Sequence, residues 1–281
     1  MLLKDFLFSL KNIHISHFER RQTFKLLKVG LSTLYKYIFL ELFFYNIFYK
    51  KNLDKNYKKN NQLFSKDLLF LFEHFDSLRK EHSYENSFHE NLNNIKNERL
   101  DILEIGSAKG AGAACFYFYF PNADLIAADN NPFRNRYKSS RIRNIYLDIS
   151  SKKVLRNFSH FLSKKFDLII EDCSHQLIHQ ILCFAENFKN LKKGGTYIVE
   201  DLNFPEIDKM YNPTNDSPNL KKILLKIKNN EEFSSNHMSN DEISYIKNNV
   251  ENITFYKCKN KNNYLISGVC DYSEIVFIKK K

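Results

Sequence analysis

The chain lacks tryptophan altogether and has seven glycines and five cysteines in 281 residues. Cys115, Cys173, Cys183, Cys258 and Cys270 are odd in number and contain no CxxC pair, which excludes a disulfide scaffold and points to a reduced, cytoplasmic setting. No signal-peptide pattern opens the sequence, since a charged start, a clean apolar run and a small-residue cleavage site are all missing. An uninterrupted membrane-spanning run is missing too. Residues 29–49 are apolar enough to raise the question, but Lys36, Glu41 and Asn46 recur every five residues and spread polarity around a helix. That segment reads as a buried or interfacial helix.

What is present is charge and aromatic bulk. The hydrophobic share of 43% fills a core and excludes a mainly disordered chain, and the length fits one large domain or a domain with an extension. A formal net charge of +11 first suggests phosphate, in nucleic acid or at an anionic membrane. The excess is spread out, however, at +6 for residues 1–99, +2 for 100–210 and +3 for 211–281, and 34 of the 43 cations are lysine. Such lysine reads as solvated surface. The densest basic patch is Arg134, Arg136, Lys138, Arg141 and Arg143.

The first 50 residues alternate apolar and basic positions at helical spacing and read as two or three helices. Residues 50–62 read as a linker or exposed loop, and 63–82 as a helix with Ser65 as its N-cap. From residue 100 the pattern changes. Short apolar runs at 100–106, 123–131, 143–150, 164–175 and 194–203 read as strands, and the segments 112–119, 151–163 and 176–191 between them as helices. Strands alternating with helices imply βαβ units and a parallel sheet covered on both faces. Residues 251–258 and 272–280 read as an antiparallel hairpin, preceded by a helix whose capping box is Ser239 and Glu242. The expected fold is therefore α/β: a Rossmann-like, doubly wound, mostly parallel sheet with a C-terminal antiparallel hairpin, occupying residues 96–281 behind a helical N-terminal extension over 1–95.

Three of the seven glycines cluster where the first strand turns into its helix, in Glu104-Ile105-Gly106-Ser107-Ala108-Lys109-Gly110-Ala111-Gly112. Open α/β sheets bind ligands outside the carboxyl ends of their strands, and glycine lets backbone approach a ligand closely. The spacing is neither GxGxxG nor a P-loop, because no GK[ST] follows. Asp129, ending the second strand 23 residues past Gly106, suits a ribose hydroxyl pair. Together they favour an adenosine-containing cofactor.

The series LDILEIGSAKGAG, IAADNNP, NIYLDIS, FDLIIEDCSHQLIH and LKKGGTYIVEDL, followed by the hairpin, resembles the class I S-adenosylmethionine-dependent methyltransferases. Within them, D-x-S-H-x-x-x-H after strand four with V-E-D after strand five is similar to the metal-dependent macrolide sugar O-methyltransferases and the related cephalosporin hydroxylase-like proteins. The resemblance covers residues 98–205 well and 250–280 loosely, and it leaves the N-terminal third uncovered. Ala108 departs from the usual middle glycine, and Cys173 from the usual glycine between Asp and Ser. The resemblance implies S-adenosylmethionine as cofactor, with Glu104, Gly106, Ser107, Gly110 and Asp129 at its pocket and Asp148 near the adenine.

Asp172 ends one strand, and Glu200 and Asp201 end the next. In this fold those strands are neighbours, so three carboxylates converge and call for a cation. An all-oxygen set suits Mg²⁺. Glu171 points to the opposite side of its strand. His175 stands at the start of the following helix as the expected base, the role the resemblance also implies. His179, one turn on, is either catalytic or supporting. The expected activity is Mg²⁺-assisted O-methylation of a hydroxyl on a sugar or glycosylated metabolite, with surface glycan biosynthesis as one setting. The expected partner is a small-molecule or glycan acceptor and no nucleic acid, with peripheral membrane contact and homo-oligomer formation as further expectations. A nucleic-acid methyltransferase or RNA-binding protein is the competing reading, and it lacks the [DN]PP[YF] sequence that base N-methyltransferases carry after strand four. A non-catalytic fold used for assembly or membrane docking is a third.

Overall fold

The structure is a computed structural model that describes residues 4–5, 7–9, 11–12, 50–57, 61–261, 265–266, 268 and 270–281. The helices expected over residues 1–50, including the apolar segment 29–49, lie almost wholly outside these. No described helix is long and apolar enough to cross a membrane.

The strands are β1 (Lys51–Asn52), β2 (Asp101–Ile105), β3 (Asp124–Asp129), β4 (Tyr137–Lys138), β5 (Ile142–Tyr146), β6 (Phe166–Glu171), β7 (Leu191–Val199), β8 (Val250–Lys259) and β9 (Tyr272–Lys280). Seven of them form one sheet in the order β5-β3-β2-β6-β7-β9-β8, parallel throughout except for β9, which runs antiparallel to both β7 and β8. The expected mostly parallel sheet and its terminal hairpin are present.

The helices are α1 (Leu53–Tyr57), α2 (Leu68–His74), α3 (Glu85–Leu92), α4 (Ala111–Tyr119), α5 (Lys152–Leu162), α6 (Leu177–Asn187), α7 (Phe204–Ile207), α8 (Leu220–Lys228) and α9 (Asn240–Asn249). Alternation along the strands sends Leu103, Ile105, Ile169 and Val199 into a core with α5, α6 and α8, and Ile102, Leu168, Ile170 and Ile198 into a second core on the other face. That second core explains α4. Its residues 112–119 are buried all round, so the helix needs cover on the side away from the sheet. Residues 63–92 supply it, with the Phe88 ring 5.6 Å from Phe116 and Phe64 4.8 Å from Phe118.

Three local expectations change. Ser65 does not cap a helix: its hydroxyl bonds to the Gln62 carbonyl, and Asp67 caps α2 by accepting from the Phe70 amide at 2.8 Å. The supposed linker after residue 50 carries β1, paired in parallel with β4, and α1, whose Asp54 accepts from Tyr117, Ser139 and the Ser140 amide. The basic patch is partly structural. Arg141 donates to the carbonyl of Tyr117 in the last turn of α4 and to those of Phe120 and Ala123 beyond it, and Arg143 pairs with buried Asp5 at 2.6 Å. The Ser239–Glu242 capping box is formed as expected. All five cysteines are free.

Candidate active site

The strand ends deliver the acids. Asp172 leaves β6 with its amide on the Ile105 carbonyl, and Glu200 leaves β7 with its amide on the Glu171 carbonyl. Both therefore stand one step beyond the ladder at the carboxyl edge of the sheet, beside the loop after β2. Gly106 sits in that loop at φ +93°, and a Cβ on it would stand 1.8 Å from the Asp172 carbonyl oxygen. Only glycine lets these two strand ends come so close.

Asp172, His175 and Asp201 form one group, with a ligand atom of each within 4.8 Å of the others. His175 Nε2 lies 3.9 Å from Asp172 Oδ1 and 3.6 Å from Asp201 Oδ2. His175 precedes α6 in a left-handed conformation at φ 55°, and Asp201 adopts the same region at φ 53°. The histidine ring faces Phe204 at 4.9 Å and Tyr211 at 6.3 Å between centroids. His179 is turned elsewhere, its Nδ1 2.6 Å from Ser174 Oγ.

Glu200 is not turned toward His175. Both its oxygens accept from Nε of Arg79, at 2.7 and 3.0 Å. The same guanidinium reaches Glu104 Oε1 and Asp172 Oδ2, each at 3.0 Å, and lies 5.1 Å from the centre of the Phe116 ring. Burial opposes its charge, but Glu200, Asp172 and Glu104 together hold Arg79 protonated well above its usual range. Burial pushes Glu104 and Glu200 up. Arg79 meets Asp172 through one oxygen and does not touch Asp201, so the acids beside His175 keep carboxylate oxygens that no guanidinium neutralises, an arrangement a divalent cation fits. A hard cation suits the two free carboxylate oxygens at His175.

On the cofactor side, Glu104 Oε2 and Ser107 Oγ are buried and have no hydrogen-bond partner, so the loop after β2 holds unsatisfied polar atoms that fit a polar ligand. Asp129 binds this loop from β3: Oδ2 accepts from the Ala108 amide at 2.8 Å and Oδ1 from the Asn131 amide at 2.7 Å. Ala108 takes φ 44°, where the resemblance led to a glycine. Gly110 starts α4 in the left-handed region. Asp148, beyond β5, accepts from the amide and hydroxyl of Ser150, a turn that leads into α5. Glu171 faces away from the site as its alternation requires, accepting from the Tyr197 hydroxyl at 2.8 Å.

No family model matches the chain. It is 24% identical over 127 residues to the 8-demethyl-8-alpha-L-rhamnosyl tetracenomycin-C 2'-O-methyltransferase of Streptomyces olivaceus, covering 43% of this chain and 33% of that one. It is 27% identical over 128 residues to the L-olivosyl-oleandolide 3-O-methyltransferase of Streptomyces antibioticus, covering 43% and 32%. The matched region thus spans about a third of the length of these curated relatives. Among solved structures, the MycE methyltransferase of mycinamycin biosynthesis, in complex with Mg, SAH and mycinamycin VI, superposes with a TM-score of 0.55 at 18% identity over 76% of this chain and 54% of that one. The fold is that of the class I S-adenosylmethionine-dependent methyltransferases.

Placed in this methyltransferase fold, the loop after β2 is where the cofactor pocket is expected, and the Asp172–His175–Asp201 group lies beside it. The sequence reading missed Arg79, Tyr84 and His82. The Tyr84 hydroxyl donates to Asp201 Oδ1 at 2.7 Å, and His82 Nδ1 lies 2.5 Å from Ser273 Oγ and 3.8 Å from Asp201 Oδ1. All three come from the segment the resemblance does not cover. One signal was available: Arg79 is the single arginine between Arg21 and Arg99, in a stretch otherwise served by lysine. Arginine is the cation that can fork to several carboxylates at once.

Proposed function

We propose that this protein is an S-adenosylmethionine-dependent, Mg²⁺-assisted O-methyltransferase whose acceptor is a hydroxyl on a sugar or glycosylated small molecule. The observation that carries the reading is the position of His175 Nε2 between Asp172 Oδ1 and Asp201 Oδ2, next to the glycine-bearing loop. The relatives named above, themselves sugar O-methyltransferases, support the same chemistry.

Sugar hydroxyls are weak nucleophiles, and their attack on a sulfonium methyl group needs a base at the oxygen. S-adenosylmethionine supplies the methyl group, and a bound divalent cation lowers the pKa of the acceptor hydroxyl. His175 takes the hydroxyl proton at Nε2. Asp172 and Asp201 are the metal-holding acids, with Glu200 behind them on Arg79. Glu104, Gly106, Ser107, Gly110 and Asp129 hold the cofactor, and Asp148 shapes the adenine end. Phe204 and Tyr211 provide an apolar wall beside the base, suited to the CH face of a sugar ring. In this reading residues 96–281 are the catalytic domain, and the 1–95 extension brings Arg79 and Tyr84 to it. Surface glycan precursors and glycosylated metabolites are the acceptor classes to screen.

The test is methyl transfer from radiolabelled S-adenosylmethionine to a panel of glycosides and glycan precursors, with Mg²⁺ or excess EDTA. The expected result is S-adenosylhomocysteine binding in a calorimeter and transfer that EDTA abolishes and Mg²⁺ restores. Undiminished transfer in EDTA would overturn the metal role, and absence of S-adenosylhomocysteine binding the whole reading.

A further inference from the structure

Each of the two acids beside His175 has one oxygen held and one oxygen presented. Asp172 Oδ2 forms an ion pair with Arg79 Nη2 at 3.0 Å, close but not aligned as a hydrogen bond, and Oδ1 is turned to His175. Asp201 gives Oδ1 to the Tyr84 hydroxyl at 2.7 Å and turns Oδ2 to His175. The same hydroxyl accepts from the Asp201 amide at 3.2 Å and has a longer second contact, at 3.4 Å, with the Glu274 carbonyl, so its shortest hydrogen bond is the one to Asp201 Oδ1. Neither holder can swing away. Tyr84 is fully buried, its ring 5.4 Å from the stacked His82 ring, and Arg79 is fixed by Glu104 and Glu200 on two further sides.

We propose that Arg79 and Tyr84 are positioning residues that act as a two-point clamp, selecting which oxygens of Asp172 and Asp201 face His175 and thereby setting the affinity of that position for a divalent cation. The proposal rests on the metal reading of the site given above and assigns this part of the N-terminal segment a role in it. A carboxylate fixed at one oxygen has already given up its rotational freedom before a cation arrives. A free one must give it up on binding. Partners that orient ligating side chains typically contribute 10- to 100-fold in metal affinity.

The experiment uses the full chain with Mn²⁺ as the probe, its free concentration followed by electron paramagnetic resonance, and S-adenosylhomocysteine affinity measured in parallel by calorimetry. Asp201→Asn, which should abolish Mn²⁺ binding, locates the site. Tyr84→Phe removes a single oxygen atom and keeps the ring in place. It is expected to weaken Mn²⁺ binding 10- to 100-fold while S-adenosylhomocysteine affinity stays within threefold. Arg79→Lys keeps the charge but loses the fork, and a similar loss of Mn²⁺ affinity is expected; if that protein does not fold, Tyr84→Phe decides alone. Unchanged Mn²⁺ affinity in Tyr84→Phe overturns the clamp and leaves the metal reading standing. Equal losses of Mn²⁺ and S-adenosylhomocysteine affinity also overturn it, because they mark a general structural role. A wild-type chain that binds no Mn²⁺ removes the metal reading and the clamp together.

Discussion

A Cβ placed on Gly112 would stand 2.0 Å from Arg79 Nη1 and 2.0 Å from Glu104 Oε1, the two atoms that form the buried bridge between residue 79 and β2. This glycine is required by an ion pair. Gly112→Ala should therefore force the pair apart and cost about 3 kcal/mol or more, the scale for breaking a buried pair. Urea unfolding measures it, and an unchanged midpoint would show that the bridge can move aside.

Gly106→Ala should act on the site as well as on stability. Its Cβ would meet the Asp172 carbonyl oxygen at 1.8 Å on a backbone already at φ +93°, so the ends of β2 and β6 must part and carry Asp172 with them. Loss of both Mn²⁺ and S-adenosylhomocysteine binding is expected. Gly194→Ala is the control. Gly194 is also left-handed, at φ +71°, but nothing lies within 4 Å of its Cβ position, so only about 1 kcal/mol of backbone strain should appear and binding should persist.

His175→Ala should retain S-adenosylhomocysteine affinity and lose about 10²- to 10⁴-fold in kcat, the range for a positioned base. Steady-state kinetics beside calorimetry separates the two quantities. A parallel fall in cofactor affinity would instead make the histidine a structural residue.

Glu171 gives a pH signature. Burial pushes its carboxyl up to about 8 from an ordinary value of 4.5. Between these two values the folded chain holds a proton that the unfolded chain releases, so this group's contribution is complete below pH 4.5 and is lost as pH rises toward 8. Glu171→Gln keeps a neutral, hydrogen-bonding side chain and removes the titration. Its stability should depend less on pH across that window than the wild type's, and it should exceed the wild type above pH 8. Identical slopes for the two proteins would show that Glu171 is ionised in the fold.

The sheet was legible because its strands are short apolar runs that end in Gly, Asp or Asn, and because alternation along β6 separates Asp172 from Glu171. Asp172 and Asp201 were legible for the same reason, as residues at adjacent strand ends, and His175 as the histidine three positions past Asp172 where the next helix begins. Arg79 and Tyr84 were not, since their partners stand 93 and 117 positions away in sequence and no local pattern ties a residue to so distant a carboxylate. Glu200 was legible as an acid at a strand end, whereas its engagement by Arg79 required the packing of a segment outside the resemblance. Polar composition was misleading over residues 50–62. Within the described residues 50–57, Asp54 accepts from Tyr117 on α4 and from Ser139 and Ser140 just past β4, contacts that composition does not encode.

His175 and Asp201 both hold a backbone conformation that non-glycine residues adopt at a cost of about 1–3 kcal/mol each. Glycine at either position would relieve that strain at once. A directed-evolution campaign scored only on heat resistance would therefore be drawn to residues 175 and 201, and its most robust winners would be proteins emptied of the groups that face each other across the carboxyl edge of the sheet.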